Sequence, residues 1–130
     1  MALLIDTSVL IDAERGGGAL RRVPRDVERT ISVITVSELL HGVHRAASDA
    51  AKNRRKGLVE DALAEVEPLP VTVAVARIHA EIWAKLEAAG EMIDAHDLWI
   101  SATALAHRLQ VATTNARHFE RVPGLEVLAM

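Results

Sequence analysis

MALLIDTSVLID, residues 1–12, decides how the rest of the chain is read. Ala2, Leu3, Leu4 and Ile5 form a short apolar run, Asp6, Thr7 and Ser8 interrupt it, and Val9, Leu10 and Ile11 resume it. A run that short, ending in a polar cluster, predicts a buried strand. SVLIDAER then predicts a helix with Thr7 or Ser8 as its cap. A carboxylate pressed against hydrocarbon is costly unless it caps, pairs or binds something, so Asp6 needs a partner.

The same strand-then-helix pattern recurs along the chain. TISVIT, residues 30–35, predicts a second strand, and VSELLHGVHRA predicts a helix through Val36, Leu39, Leu40 and Val43. Residues 49–66 predict a long helix, amphipathic through Leu58, Val59, Ala62, Leu63 and Val66, and stopped by Pro68. LPVT reads as a short strand, and Val73 to Ala89 as a helix with Ile78, Ile82, Trp83 and Leu86 on one face, ended by Gly90. DLWISATALAHRL, from Asp97, predicts a further helix, QVATT a strand, NARHFERV a loop or short helix, and LEVLAM a last strand. Gly16-Gly17-Gly18 reads as a loop or helix end. Such alternation favours a mainly parallel sheet flanked by helices on both faces.

The composition agrees. The 130 residues fit one domain, half of them apolar, with aromatics only 2% and 25% charged. No apolar stretch approaches the roughly 18–20 residues that cross a bilayer, and the start lacks the features of a signal peptide. The absence of cysteine excludes disulfides and thiolate metal sites, and a cytoplasmic protein is expected. A net charge of −3 leaves no overall basic footprint for nucleic acid. Basic residues do cluster, as Arg21, Arg22, Arg25 and Arg29, and as Lys52, Arg54, Arg55 and Lys56. These read as solvated faces, or else as attractors of phosphate or an acidic partner.

In open α/β sheets, chemistry gathers at the carboxyl ends of the strands, near the point where strand order reverses. Asp6 follows the first strand, Glu38 lies one turn into the helix after the second, and Thr113-Thr114-Asn115 close the strand from Gln110. Asp97 opens the helix before that strand. Each acid alone has a structural use, as a cap or in a first helical turn. Together, three carboxylates at one sheet edge repel one another, and a proton or a cation must relieve that repulsion. Oxygen-only ligands suit Mg²⁺ or Mn²⁺ rather than zinc.

DTSVLID, TVSELLHG, HDLWISATAL and TTNARHF, in that order over essentially the whole chain, resemble the PIN-domain ribonucleases. The resemblance is closest to the VapC-type toxins of bacterial and archaeal toxin–antitoxin pairs. It implies a single PIN domain over residues 1–130 with a three-layer α/β fold. It also implies that Asp6, Glu38 and Asp97 are the metal-binding acids, with Asn115 where many PIN domains carry a fourth acid. Thr113, and Thr7 or Ser8, would be the accompanying hydroxyls. The implied activity is an Mg²⁺-dependent endoribonuclease, with Mn²⁺ able to substitute, cutting structured RNA such as tRNA or rRNA. Metal-activated water would attack in line and leave a 5′-phosphate and a 3′-hydroxyl. Asp6 and Asp97 would hold the principal ion, Glu38 would bind it directly or through water, and Asn115 would orient a water or lend an oxygen. The implied partners are a VapB-type antitoxin and a second copy of the chain, in a heterotetramer or larger complex. Arg15, His96, Arg117 and His118 stand where RNA or antitoxin would be met.

Other residues carry less. His41 and His44, at i and i+3, lack a third ligand for zinc, and Asp94 suits a turn or cap. Trp83 and Trp99 fit core or interface anchors, and Ala102, Ala104 and Ala106 permit close helix approach. A receiver-like signalling module would share the fold class, but it needs a late lysine and none follows Lys85. An inactive PIN-like scaffold that only binds is disfavoured by the intact acids.

Overall fold

The computed structural model describes residues 2–130. Strands β1 (Ala2–Ile5), β2 (Glu28–Thr30), β3 (Gln110–Thr113) and β4 (Val127–Ala129) form a four-stranded sheet in the order β2-β1-β3-β4. Every pairing is parallel. The helices are α1 (Thr7–Glu14), α2 (Ala19–Arg22), α3 (Val33–His44), α4 (Asp49–Glu65), α5 (Val73–Ala89), α6 (Ala95–His107) and α7 (Ala116–Phe119). None of the described helices is long and apolar enough to cross a membrane.

Strand periodicity explains the layering. Leu3 and Ile5 point to one face, where they pack with Val9 and Leu10 of α1, Leu39 and Val43 of α3, and Val59 of α4. Leu4 and Val111 point to the other, against Ile100 and Ala104 of α6 and Phe119 of α7. Strands covered on both faces must be apolar throughout, which is why ALLI shows no alternation. Helix α5 lies outside α6, joined to it through Val75, Ile82, Leu86, Leu98 and Ala102. The three-layer fold with helices on both faces is the expected one.

Four local readings need correction. TISVIT is not a strand over its length: β2 ends at Thr30, and Val33, Ile34 and Thr35 are helical. The Ser32 hydroxyl accepts from the Ile34 and Thr35 amides at 3.0 and 3.3 Å, and this cap overrides the β-branched run. LPVT contributes only a bridge between Ser32 and Leu69, and its Thr72 caps α5 by accepting from the Val75 amide. Neither Thr7 nor Ser8 caps α1: Asp6 holds that position, and both hydroxyl residues lie inside the helix. The helix expected from Asp97 begins at Ala95, with Asp94 as its N-cap accepting from the His96 amide at 2.9 Å. An additional short helix, α2, follows the triple glycine. There Asp12 accepts from the Ala19 amide, and a side chain on Gly17 would run into that carboxylate.

Trp99 is half-buried and stacks on His79 with ring centroids 3.5 Å apart, while Trp83 meets the same imidazole edge-on and stays exposed. Burial lowers the pKa of His79, which favours the neutral ring in this stack.

At the end of α6, Arg108 is the C-cap at φ 55° and ψ 44°, left-handed and carried without glycine. A Cβ there costs about 1–2 kcal/mol, partly offset in a glycine variant by the greater freedom of its unfolded chain. Arg108→Gly should therefore stabilise the protein by about 0.5–1 kcal/mol, a rise of roughly 3 °C in thermal denaturation.

Candidate active site

The chain leaves β1 towards β2 and later enters β3 to proceed towards β4, so strand order reverses between β1 and β3. Asp6 follows β1 directly there, its amide donating to the Ala112 carbonyl at 2.9 Å and so extending the β1–β3 ladder. Asp6 takes the N-cap position of α1 with an extended backbone, yet its carboxylate makes no capping bond. Instead, buried to 3% exposure, its Oδ2 accepts from Ser8 Oγ at 2.6 Å and from Thr113 Oγ1 at 2.8 Å. Those hydroxyls accept in turn from backbone amides, Thr113 from Asn115 at 2.9 Å and Ser8 from Thr114 at 3.1 Å. Amide, hydroxyl and carboxylate thus form two short relays that satisfy one oxygen of Asp6. Among the described residues, Oδ1 receives no donor.

Glu38 comes from the second turn of α3 and is set by the helix before it. Its Oε1 accepts from Thr7 Oγ1 at 2.7 Å, and that hydroxyl lies 3.0 Å from Thr35 Oγ1. Thr35 is fully buried one turn before Glu38, and sequence reasoning missed it. Its signal was the i, i+3 spacing to Glu38 within an otherwise apolar stretch. Glu38 Oε2 stands 3.5 Å from His96 Nδ1.

Asp97 occupies the first turn of α6 with little of its side chain exposed. Its pKa is raised from the ordinary 3.8 to about 6, first by burial and then by the charges of Asp6, Asp94 and Glu38. A hydrogen bond with His118 opposes the shift. That opposition is weak in this geometry. His118 Nδ1 is 3.6 Å from Asp97 Oδ2 but only 2.9 Å from Asn115 Nδ2, and one lone pair cannot accept from the amide while its nitrogen donates to the acid. Asn115 is the nearer partner of His118.

The structure thus brings Asp6, Glu38 and Asp97 into one electrostatic unit, with Thr7, Ser8 and Thr113 as their donors and Asn115, His96 and His118 at the rim. Arg15 lies further off, in a groove that shares Glu38. Arg117 is exposed on α7, and His41 and His44 are exposed on α3. Among the described residues, no three His, Asp or Glu side chains stand in a ready-made metal-binding group. The fit to a cation is therefore one of chemistry and charge: hard oxygen donors, partly withdrawn from solvent, with the charges of Asp6 and Glu38 raising the proton affinity of Asp97.

Comparison with known proteins accords with this picture. Residues 3–125 match the family model described as PIN domain. The chain is 31% identical over 130 residues to a protein of Rickettsia bellii named Ribonuclease VapC, covering 100% of this chain and 97% of the relative. It is 35% identical over 130 residues to Ribonuclease VapC4 of Mycobacterium tuberculosis, covering 98% and 95%. Among solved structures, DNA-bound VapBC from Salmonella typhimurium aligns with a TM-score of 0.87 at 27% identity, over 99% of this chain and 98% of that one.

Two stability effects follow from the geometry. Thr113→Val removes one of two donors from a buried carboxylate and should cost about 1–3 kcal/mol in urea denaturation. Asp97 behaves oppositely. Its raised pKa means the folded chain binds more protons than the unfolded one between about pH 4 and pH 6, so its contribution to stability falls as pH rises through that window. In EDTA at pH 7.5, Asp97→Asn should therefore be more stable than the parent by on the order of 1–2 kcal/mol after allowance for solvent screening. The gap should shrink towards zero near pH 4, measured by denaturation across that range.

Proposed function

The chain belongs to the PIN-domain family, and from its likeness to the VapC ribonucleases we propose a metal-dependent endoribonuclease centred on Asp6, Glu38 and Asp97. One observation carries the reading. Asp6 sits at a helix N-cap, buried, with its cap bond unmade and its donors gathered on one oxygen, beside an acid whose proton affinity it raises. A cap would point at the helix; this carboxylate is aimed elsewhere.

Asp6 and Asp97 would hold Mg²⁺, with Mn²⁺ able to substitute, and Glu38 would bind it directly or through water. Such an ion, when bound, polarises a phosphoryl oxygen and acidifies water. The chain's own residues do the positioning. Ser8 and Thr113 immobilise Asp6, Thr7 fixes the rotamer of Glu38, and Asn115 orients a water or lends its amide oxygen. Arg15, His96, Arg117 and His118 meet RNA or the protein partner. Hydrolysis in line would leave a 5′-phosphate and a 3′-hydroxyl on structured RNA, tRNA or rRNA, in the cytoplasm. The VapBC neighbour supports a VapB-type antitoxin as the inhibitor. A homodimer of the chain, joined by antitoxin into a heterotetramer or larger complex, is part of the same reading. Exposed apolar residues Leu40 on α3 and Val73 and Trp83 on α5 are available for such contacts.

The test is cleavage of bulk tRNA and rRNA by purified protein in Mg²⁺ or Mn²⁺, with 5′ ends mapped. Cleavage should stop in EDTA, and Asp6→Asn, Glu38→Gln and Asp97→Asn should each lose at least about 100-fold in rate while remaining folded. A well-folded parent that binds RNA but cuts none in either metal would make the chain a binding module.

A further inference from the structure

Beside the acidic centre, between α1, α3 and α4, lies a groove in which cations outnumber acids. Glu14 and Glu38 line it together with Arg15, Arg45 and Arg55. The three arginines are not alike. Arg55 is committed: its Nη1 donates to the Gly42 carbonyl at 2.7 Å, and its Nε lies 3.7 Å from Glu14 Oε1. Arg54 Nε donates to the same Glu14 oxygen at 3.0 Å. Glu14, only 8% exposed at its side chain, thus ties α4 to α1 and cancels one of two adjacent charges. Arg15 and Arg45 are exposed, and among the described residues neither forms an ion pair.

The simplest use of Arg15 and Arg45 is as cations at helix ends, since Arg15 is the C-cap of α1 and Arg45 that of α3. That explains each singly but not why both line one groove with Glu38. With Arg55 held by Gly42 and Glu14, the groove presents one fixed guanidinium and two free ones beside Glu38.

Resting on the ribonuclease reading, we infer that Arg15, Arg45 and Arg55 form a seat for the phosphate backbone of the RNA strand, next to the phosphate being cut. Arginine suits that task because its planar fork pairs with phosphate oxygens through two donors. The chain as a whole carries −3 and would repel RNA, so attraction must come from a local array. Glu14 is a positioning residue in this arrangement, since it fixes Arg54 and Arg55 rather than touching the substrate. An acidic segment of a protein partner is the other occupant such a groove could take.

RNA binding is read without cleavage by anisotropy of labelled bulk tRNA on the Asp97→Asn protein in Mg²⁺. Arg15→Ala and Arg45→Ala should each weaken binding about 3–10-fold at low salt and lower the slope of log Kd against log salt by roughly 0.7. Arg45→Lys should keep most of the slope. Arg77→Ala on α5, outside the groove, should change nothing. In the cleaving protein, the groove substitutions should raise KM with kcat unchanged, and circular dichroism should show a folded protein whose melting temperature falls by no more than about 4 °C, the loss of a helix-end charge. Unchanged RNA affinity and slope would overturn the inference while leaving the ribonuclease reading intact. Unchanged RNA binding with weakened antitoxin binding would overturn it in favour of a protein seat. A parent that neither binds nor cuts RNA would remove both.

Discussion

The hydrogen bond from Thr113 to Asp6 ties together the two halves of this fold. One end directly follows the first strand and the other closes the third, separated by most of the chain, and the 2.8 Å contact requires both strands to end at the same height. The parallel register, with Ile5 opposite Ala112, meets that requirement. The register is secured by apolar side chains on both faces of β1, since a slip by one residue would exchange Leu4 with Leu3 and Ile5 between two different cores. Core packing therefore determines the reach of a hydroxyl to a carboxylate, and the site inherits its rigidity from the sheet.

That rigidity has an electrostatic cost, which the surrounding structure reduces. Asp6 stands at the N-terminus of α1 and Asp97 in the first turn of α6, so both residues lie near the positive end of a helix. Hydroxyl donors from Ser8, Thr113 and Thr7 add charge-assisted hydrogen bonds to Asp6 and Glu38. Asp97 receives no comparable donor, and it is the acid whose proton affinity rises. The repulsion is thus concentrated on one residue that can respond to a proton or a cation, while the other two are held in place.

What the sequence displayed depended on how local each cause was. ALLI and QVATT were legible because an apolar run ended by polar residues is a property of a few neighbours. The three acids were legible because the sheet-edge rule places them without any side-chain detail. TISVIT misled because its β-branched residues favour a strand, whereas Ser32 caps the amides of Ile34 and Thr35 and the packing of Leu39 and Val43 draws the segment into helix. Thr35 was harder to read: its partner Thr7 is on another helix, and the only local signal was its i, i+3 spacing to Glu38. The reading of Asp94 as a cap needed only the next two residues, and it stands.

The charge pattern resolves in the same way once distance replaces sequence order. Read along the chain, Lys52, Arg54, Arg55 and Lys56 form one basic cluster. In space, Arg54 and Arg55 turn to a single nearly buried carboxylate on α1, while Arg15 and Arg45, far apart in sequence, share the groove with Glu38. A chain with net negative charge can therefore present acids and bases side by side without neutralising them. Glu14 is close enough to hold Arg54 and Arg55, and among the described residues it forms no ion pair with Arg15 or Arg45. The acidic centre and the groove meet at Glu38, and the same helices that position Asp6 and Glu38 hold both in place.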